Sequence, residues 1–349
     1  MRKGWEYKKL NEVCEKGASN IVINKLTDNS GEYPLFGASG LVKNIDFFHQ
    51  DKPYIGIVKD GAGVGRVNIY PAYSSLVGTM QYIFPKEGYS IDFIKYFLVK
   101  LDLSHCVSGA TIPHIYFKDY GKENIPTPSL DTQLAIVSEL DKINELIRLK
   151  KEQLKDFDNL AQSIFYEMFG DPVENEKGWE VKKLGEVCDI FAGGDKPNDI
   201  KATKDNEYIY PVIANGEGEK GILGYTKKCR VIKNAVTIGA RGASIGNCRI
   251  VKDGFTPAIR LLTLIPSEKL DCPFLFYIVK GLDYKQNGAG QAQLTVPNIK
   301  NESIPLPPLP LQHLFALRIE QIEHQKAEVQ KAITDLETLL ASRMQYWFE

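Results

Sequence analysis

Residues 4–14 read GWEYKKLNEVC, and residues 178–188 read GWEVKKLGEVC. Nine of these eleven positions are identical, which chance matching does not produce. A second shared tract, Ile-Pro-x-Pro, lies at 125–128 and at 304–307, and a glutamine follows each tract at the same distance. From residue 108 to the end, the two copies keep a constant offset of 179 residues. The chain is therefore a tandem duplication of one structural unit.

Each copy contains the same order of predicted elements. Short β-type runs bounded by glycine turns come first, an apolar helical stretch follows, and a proline-rich hinge ends the copy, because proline blocks the continuation of a helix or a strand ladder. The clearest examples are the β runs 54–58 and 235–238, the helical stretches 91–101 and 273–281, and the hinges 125–129 and 304–310.

A long heptad stripe follows each hinge, with no Pro or Gly inside it. The first stripe consists of Ile136, Leu140, Ile143, Ile147, Lys150, Leu154, Phe157, Ala161, Ile164 and Met168. The second consists of Phe315, Ile319, Ile322, Lys326, Val329, Ile333, Leu336, Leu340, Arg343 and Trp347. The sustained 4-3 spacing predicts that the apolar members pair two helices in a coiled coil. Lys150 and Lys326 interrupt the stripes, either because their stems pack while the ammonium groups reach water or because they select register or partner.

These patterns predict an α+β protein with two similar α/β domains, separated by two long helices that form an antiparallel coiled coil. The predicted boundaries are 1–130 for the first domain, 131–170 for the first helix, 171–308 for the second domain and 309–349 for the second helix. The net charge of −1 divides unevenly among them. Each domain has a net charge of +2, and the helical segments have −3 and −2. This balance argues against dense non-specific binding of phosphates.

The composition is that of an ordinary globular protein, with 43% hydrophobic and 25% charged residues. We expect a cytoplasmic protein, because the N-terminus lacks the apolar run of a signal peptide and no stretch has the length of a membrane span. The six cysteines form no CxxC pair and have no histidine at metal-ligand spacing. Buried, reduced cysteines are therefore favoured over a zinc site or a disulfide framework.

Motifs for catalysis are largely missing. The chain has no GxxxxGK[ST] phosphate loop, no HExxH pair and no Asn/Asp-Pro-Pro-aromatic tetrapeptide for holding a flipped base. Residues 61–66 (GAGVGR) come close to GxGxxG, but Arg66 replaces the last glycine. The counterpart at 242–247 (GASIGN) has also lost the middle glycine, so a tight turn is favoured over a cofactor loop. We expect that the chain is not an enzyme on its own.

The most charged local feature lies in the second copy, where residues 220–260 carry nine basic side chains and one acidic one. Two interpretations of this stretch are possible: a solvated charged surface and a surface that contacts DNA. Arginine and lysine neutralise phosphates or reach guanine in the major groove, while asparagine and glutamine read adenine. The candidate DNA-binding residues of this copy are Lys220, Lys227, Lys228, Arg230, Lys233, Arg241, Ser244, Asn247, Gln291 and Gln293. Those of the first copy are Lys43, Lys59, Arg66, Ser108, Thr111 and His114. For His114 a structural role is equally open.

The arrangement resembles the specificity subunits of type I restriction–modification systems. The resemblance rests on the duplicated GWExKKLxEV opening, on the Gly-Ala-Ser-Ile-Gly turn at 242–246 with its echo at 61–65, and on the tract from Ser108 through the hinge to the heptad helix. It implies a non-catalytic subunit whose two domains each read one half of a split double-stranded DNA target. It also implies docking of DNA adenine methyltransferase subunits and of motor–nuclease restriction subunits, with no membrane involved.

By the same resemblance, S-adenosylmethionine, ATP and Mg²⁺ belong to the partner subunits, and this chain holds no cofactor and no metal. Two other functions stay open at the level of sequence. A structural scaffold built from the same duplicated unit would bind proteins rather than DNA, and a fused enzyme would carry an active site that no motif reveals.

Overall fold

A computed structural model of the chain describes residues 5–109, 111–216, 221–282, 284 and 293–349. It divides into two compact units. Unit 1 consists of Met1–Lys151 and Lys331–Glu349, and unit 2 consists of Glu152–Gln330. Each unit thus combines one copy of the repeat with a part of both long helices. No helix in the described ranges has the length and apolar character needed to cross a membrane.

Unit 1 is built from short strands and one central helix. Its strands are β1 (Tyr7–Lys9), β2 (Cys14–Ala18), β3 (Tyr33–Gly37), β4 (Gly40–Ile45), β5 (Tyr54–Val58), β6 (Val67–Tyr70), β7 (Ser75–Leu76), β8 (Met80–Pro85) and β9 (Asn124–Pro126). Its helices are α1 (Leu10–Val13), α2 (Ile91–Lys100), α3 (Phe117–Tyr120) and the first part of α4 (Leu130–Phe169). The sheets have the orders β2-β8-β5-β6, β4-β3-β7 and β1-β9.

Unit 2 repeats these elements in the same order. Its strands are β10 (Glu180–Lys183), β11 (Cys188–Ala192), β12 (Tyr210–Ile213), β13 (Ile222–Thr226), β14 (Ala235–Ile238), β15 (Cys248–Val251), β16 (Thr256–Pro257), β17 (Leu262–Pro266) and β18 (Ser303–Leu306). Its helices are α5 (Leu184–Val187), α6 (Cys272–Gly281), α7 (Val296–Asn301) and the first part of α8 (Leu309–Phe348). The sheet orders β11-β17-β14-β15, β13-β12-β16 and β10-β18 match those of unit 1 strand by strand.

The core of each unit lies between its main sheet and its central helix. In unit 1 all residues of β5 are buried, and Ile55 and Ile57 share a cluster with Phe93 and Phe97 of α2. Ser90 caps α2 by accepting a hydrogen bond from the backbone amide of Phe93. In unit 2, β14 is equally buried and packs with Phe274 and Ile278 of α6. The shared core explains why both copies keep the same topology although their sequences differ between the anchors.

The repeated glutamine clamps the proline hinge in both units. Gln133 is buried, accepts a hydrogen bond from the backbone amide of Ser90 over 2.9 Å and donates to the carbonyl of Pro128 over 3.0 Å. Gln312 repeats both bonds, with the amide of Asp271 and the carbonyl of Pro307, each over 2.8 Å. The side chain thus ties the hinge to the turn that precedes the central helix, and each long helix starts in a fixed direction.

The two long helices pack against each other in antiparallel directions within both units. In unit 1, Glu139 of α4 pairs with Arg343 of α8, and Lys151 pairs with Glu337 over 2.8 Å. In unit 2, the ring centroids of Phe165 and Phe315 lie 5.6 Å apart. The fold prediction of two α/β domains with an antiparallel helix pair is confirmed.

The apolar heptad positions of the two long helices are buried or half-buried. The buried ones are Ile136, Leu140, Ile143, Ile147, Ala161, Phe315, Ile319, Ile322, Val329 and Ile333, and the half-buried ones are Leu154, Phe157, Ile164, Met168, Leu336, Leu340 and Trp347. Near the C-terminal end of each helix the buried stripe moves forward by one residue. Phe165 and Phe169 are buried in α4, and Met344 and Phe348 take the equivalent places in α8. A straight helix with 3.6 residues per turn drifts in this direction relative to a strict heptad.

Lys326 lies half-buried inside its stripe and is paired across the helices. Its Nζ contacts a carboxylate oxygen of Asp158 and one of Glu323, each over 2.9 Å. Burial alone lowers the pKa of Lys326, but the hydrogen bonds to the two carboxylates outweigh burial and raise it. The bond to Asp158 matches one register of α4 against α8, which favours a role in register over a purely snorkelling side chain.

Candidate nucleic-acid interface

In unit 1 the loop after β5 and the turn before α3 are joined by their backbones. The amide of Ile115 donates to the carbonyl of Lys59 over 2.9 Å, and Asp60 and His114 are bridge partners. Arg66, at the end of the loop, donates to the carbonyl of Ala38 over 3.4 Å. Five predicted DNA-binding residues therefore share one surface. We call residues 59–66, 108–109 and 111–115 the first loop surface, and it carries Lys59, Arg66, Ser108, Thr111 and His114.

Unit 2 builds the equivalent surface with the same backbone contacts. The amide of Leu294 donates to the carbonyl of Ala240 over 3.0 Å, and Arg241 and Gln293 are bridge partners. We call residues 239–247 and 293–294 the second loop surface. The predicted residues Arg241, Ser244, Asn247 and Gln293 lie on it. Two stretches far apart in sequence thus converge on one place in each unit.

The glycine-rich segment is a tight turn in both units. Four backbone hydrogen bonds recur at an offset of 181 residues. In unit 1 they are Val58 N to Arg66 O, Gly65 N to Val58 O, Val64 N to Gly61 O and Arg66 N to Gly63 O. In unit 2 they are Gly239 N to Asn247 O, Gly246 N to Gly239 O, Ile245 N to Gly242 O and Asn247 N to Ser244 O. Gly61, Gly65, Gly242 and Gly246 have positive φ angles, which glycine adopts without steric cost. These amides are used within the turn.

The offset of 181 residues and, for His114 and Gln293, the matching backbone bridges identify which side chains occupy equivalent places. The pairs are Lys59 and Ala240, Asp60 and Arg241, Gly63 and Ser244, Arg66 and Asn247, and His114 and Gln293. An acidic residue of the first loop surface is thus replaced by a basic one in the second. The backbone is shared while the hydrogen-bonding groups change, which is the arrangement expected for two surfaces with different binding preferences.

The candidate DNA-binding side chains of unit 1 differ in whether they already contact other groups of the protein. Lys43, on β4, donates to the carbonyl of Leu26 over 2.8 Å. Lys59 has its Nζ 3.7 Å from a carboxylate oxygen of Asp60. Ser108 and Thr111 are exposed, and His114 is half-buried with its Nδ1 3.2 Å from the carbonyl of Ile112.

The basic stretch of unit 2 divides into engaged and unengaged side chains. Lys227 is ion-paired with Glu207, and Arg230 lies over the ring of Phe191 with 5.4 Å to the centroid. By contrast, Lys228, Lys233 and Arg241 are exposed, and within the described ranges their side chains have no hydrogen bond or ion pair. Lys220 and Gln291 lie outside the described residues.

Other chemistry finds little support in the described part of the chain. No group of three His, Cys, Asp or Glu there could hold a metal ion. All six cysteines are free thiols, and burial raises the pKa of Cys14, Cys188, Cys248 and Cys272 to about 12. Residues 242–246 fit the Gly-x-Ser-x-Gly pattern of hydrolases. However, Ser244 lies in a turn between two strands, whereas a nucleophile elbow joins a strand to a helix.

Comparison with known proteins matches residues 2–156 and 176–338 to the type I restriction modification DNA specificity domain. The chain belongs to this family. It is 27% identical to a putative type I specificity subunit of Mycoplasma pneumoniae, with 98% of this chain and 95% of the relative covered. It is 22% identical to the specificity subunit of the type I restriction enzyme MjaIX of Methanocaldococcus jannaschii, with 97% and 91% covered.

Solved structures share the fold of this specificity subunit over its full length. The type I restriction–modification S subunit from M. genitalium aligns with a TM-score of 0.63 at 15% identity, covering 100% of this chain and 98% of that one. A chain from a structure described for complex assembly and conformational transition of the type I system aligns with a TM-score of 0.59 at 20% identity, covering 99% and 97%. The family expectation from the sequence is confirmed.

Proposed function

We propose that this specificity subunit reads a two-part target in double-stranded DNA, with one half-site recognised by each unit. The observation that carries the proposal is the pair of loop surfaces: the same backbone hydrogen bonds present different side chains at equivalent positions. A loop surface whose backbone is fixed by hydrogen bonds and whose polar side chains vary is suited to sequence recognition. Base edges are read by side chains in fixed positions.

The side chains of the two surfaces favour different bases. On the second loop surface, Arg241 offers a bidentate match to guanine, and Gln293 offers one to adenine. On the first, Lys59 and Arg66 are the cationic groups, and His114 stands in the place of Gln293. Phosphate contacts from the remaining exposed lysines would add affinity without sequence preference.

We further propose that the subunit performs no chemistry itself and docks DNA methyltransferase and restriction subunits. S-adenosylmethionine, ATP and Mg²⁺ would then be bound by those partners, and the complex would work on cellular DNA in the cytoplasm. Exposed leucines on the acidic helix α4 support protein docking, with 51% of Leu134, 47% of Leu146 and 46% of Leu149 accessible. An acidic helix is poorly suited to lie along phosphates.

The test uses the complete methyltransferase complex, obtained by co-expression with the cognate methyltransferase subunit. Methylated adenines are mapped for the wild type, for a double Arg66→Ala and His114→Ala variant in unit 1, and for a double Arg241→Ala and Gln293→Ala variant in unit 2. Each variant is expected to relax the base preference in one half of the methylated motif and to leave the other half unchanged. Losing a bidentate base contact costs about 1–3 kcal/mol of discrimination.

A matched control replaces Lys227, whose ammonium group is engaged by Glu207, with alanine. This control is expected to change the motif less than the variants of the loop surfaces do. If both double variants assemble, methylate and keep the wild-type motif, the loop surfaces do not read DNA. A complex that shows no sequence preference at all would instead favour the scaffold function.

A further inference from the structure

Asn215 follows β12, and its side-chain amide joins two backbone segments of unit 2. Its Oδ1 accepts a hydrogen bond from the amide of Ala240 over 2.8 Å, and its Nδ2 donates to the carbonyl of Ile259 over 2.8 Å. Ala240 directly precedes Arg241, and Ile259 directly precedes Arg260. One side chain therefore sets how two arginine-bearing segments lie relative to each other.

Unit 1 makes the equivalent connection without a side chain. Ala38 stands in the place of Asn215, since it is four residues after the Tyr-Pro pair that begins β3, as Asn215 is after the pair that begins β12. The amide of Lys59 donates directly to the carbonyl of Thr79 over 3.0 Å. In unit 2 the side-chain amide of Asn215 lies between the two segments and bonds to both. The side chain of Asn215 thus links the two segments, while the strand order of the sheets is the same in both units.

The second of these segments has a backbone conformation that its residues rarely adopt. Ile259 has a φ angle of 50° and Arg260 one of 59°, whereas neither central residue of the equivalent turn in unit 1, Gly78 or Thr79, has a positive φ. A positive φ is a steric outlier for a β-branched residue. Such strain persists where the surroundings hold it, and it is concentrated at binding sites. Here the amide of Ile259 is also held by the carbonyl of Gly194 over 2.7 Å.

The two arginines at this place differ from the basic residues of unit 2 whose side chains are already engaged. Arg249 is committed to the carbonyl of Gly216 over 2.7 Å, and Lys227 is committed to Glu207. Arg241 and Arg260 are exposed, and among the described residues neither guanidinium has a hydrogen bond or ion pair. An unengaged guanidinium on a constrained backbone keeps its forked donors available for the O6 and N7 atoms of guanine.

We propose, on the basis of the function proposed above, that Asn215 is a positioning residue for base recognition by unit 2. It holds the backbones of Arg241 and Arg260 so that the two side chains read a guanine-containing step of the second half-site next to the base read by Gln293. Contact of the same arginines with phosphates is the competing outcome, and it would carry no sequence preference.

The experiment uses the co-expressed methyltransferase complex with Asn215→Ala and Asn215→Asp, and it measures methylation at sites that differ at single base pairs. Asn215→Asp keeps the acceptor for the Ala240 amide but turns an oxygen towards the Ile259 carbonyl, so one of the two bonds is lost at nearly constant volume. Both variants are expected to lower the preference for the G·C pair that Arg241→Ala and Arg260→Ala also relax, by about tenfold or more. The first half-site is expected to stay unchanged.

Asn175 provides a matched control in the same unit. Its side chain makes the same pair of bonds, donating to the carbonyl of Trp179 over 2.9 Å and accepting from the amide of Trp179 over 3.0 Å. Asn175→Ala is expected to lower the melting temperature without changing the motif. A change of motif in this control would show that loss of stability alone relaxes recognition, which would overturn the positioning role.

Ile259→Gly keeps the test informative if the Asn215 variants fold poorly. Glycine adopts a positive φ freely, so this variant is expected to raise the melting temperature and to relax the same G·C pair. If the arginine variants relax that pair while the variants of Asn215 and Ile259 leave it unchanged, the positioning role is refuted. Equal weakening at all sequences would assign the arginines to phosphates. If even the arginine variants keep the wild-type motif, base reading by this surface of unit 2 fails as well.

Discussion

Glu139 accepts hydrogen bonds from two residues at the C-terminal end of α8. Nη2 of Arg343 and Nε1 of Trp347 donate to the same carboxylate oxygen, over 3.0 and 3.1 Å, and Nε of Arg343 donates to the other oxygen. The indole of Trp347 also stacks on that of Trp5, with 6.0 Å between the ring centroids. The described part of unit 2 has no such cluster, because Arg318 occupies the place of the glutamate 179 residues later. The end of the chain is thus tied to its beginning within unit 1.

This cluster leads to a prediction about pH. The hydrogen bond from Arg343 lowers the pKa of Glu139, and it outweighs burial, which raises that pKa. A carboxyl group with a lowered pKa in the folded state stabilises the fold above its unfolded pKa, near 4.3. That contribution is lost as the pH falls through the folded pKa. Glu139→Gln is therefore expected to lower the free energy of unfolding by about 1 kcal/mol at pH 7 and by much less near pH 3.

Denaturant unfolding at both pH values tests this expectation. Glu145→Gln is the matched control, because Glu145 is exposed and, among the described residues, pairs only with Arg148 on its own helix. The control should have a smaller effect at pH 7. A loss of stability in Glu139→Gln that is the same at pH 7 and pH 3 would contradict an ionic contribution from the cluster.

At the scale of single residues, the sequence predicted some of the candidate site and missed other parts for physical reasons. Arg241 and Gln293 were both predicted as DNA-binding residues, since a stretch rich in basic residues and a glutamine able to read adenine are visible in the sequence. Their pairing was not predicted, because it depends on a backbone bridge between distant segments. Asn215 gave no signal, since its function depends on the carbonyl of Ile259, 44 residues away.

At the scale of elements, the long helices were the most predictable part and the ends of their stripes were not. In the sequence the heptad spacing continues through Ile164 and Met168. In the structure the buried side chains are those of Phe165 and Phe169. Beside Phe315 of α8, these rings gain a second partner in the core of unit 2, with Phe165 5.8 Å from Phe274 between ring centroids. Phe348, the counterpart of Phe169, packs on Phe93 of unit 1 in the same way. A heptad pattern cannot signal this change of partner.

The change of partner predicts different effects for two neighbouring residues. Phe165→Ala is expected to lower the free energy of unfolding by about 3–5 kcal/mol, because it leaves a cavity among buried aromatic rings. Ile164→Ala removes a half-buried side chain and is expected to cost clearly less. Thermal and denaturant unfolding of both variants measure the difference. Equal losses, or a larger loss for Ile164→Ala, would mean that the strict heptad extends to the end of α4.

At the scale of the whole molecule, the duplication was visible in the sequence because the anchors of the scaffold are repeated. The openings, the hinge glutamines and the heptads all serve the core or the hinge, where both units need the same contacts. The segments between the anchors have diverged, and there the sequence could predict composition but not geometry. The equivalence of the two loop surfaces emerges only from their hydrogen bonds.

The most direct test of the account exchanges one unit's recognition surface for the other's. In the chimera, residues 181–305 are replaced by the equivalent residues 7–126, so that both hinges carry the first loop surface. Co-expression with the cognate methyltransferase and mapping of methylated adenines then report the target. The methylated motif is expected to contain the first half-site twice. A chimera that assembles with its methyltransferase and still methylates the wild-type motif would contradict this expectation.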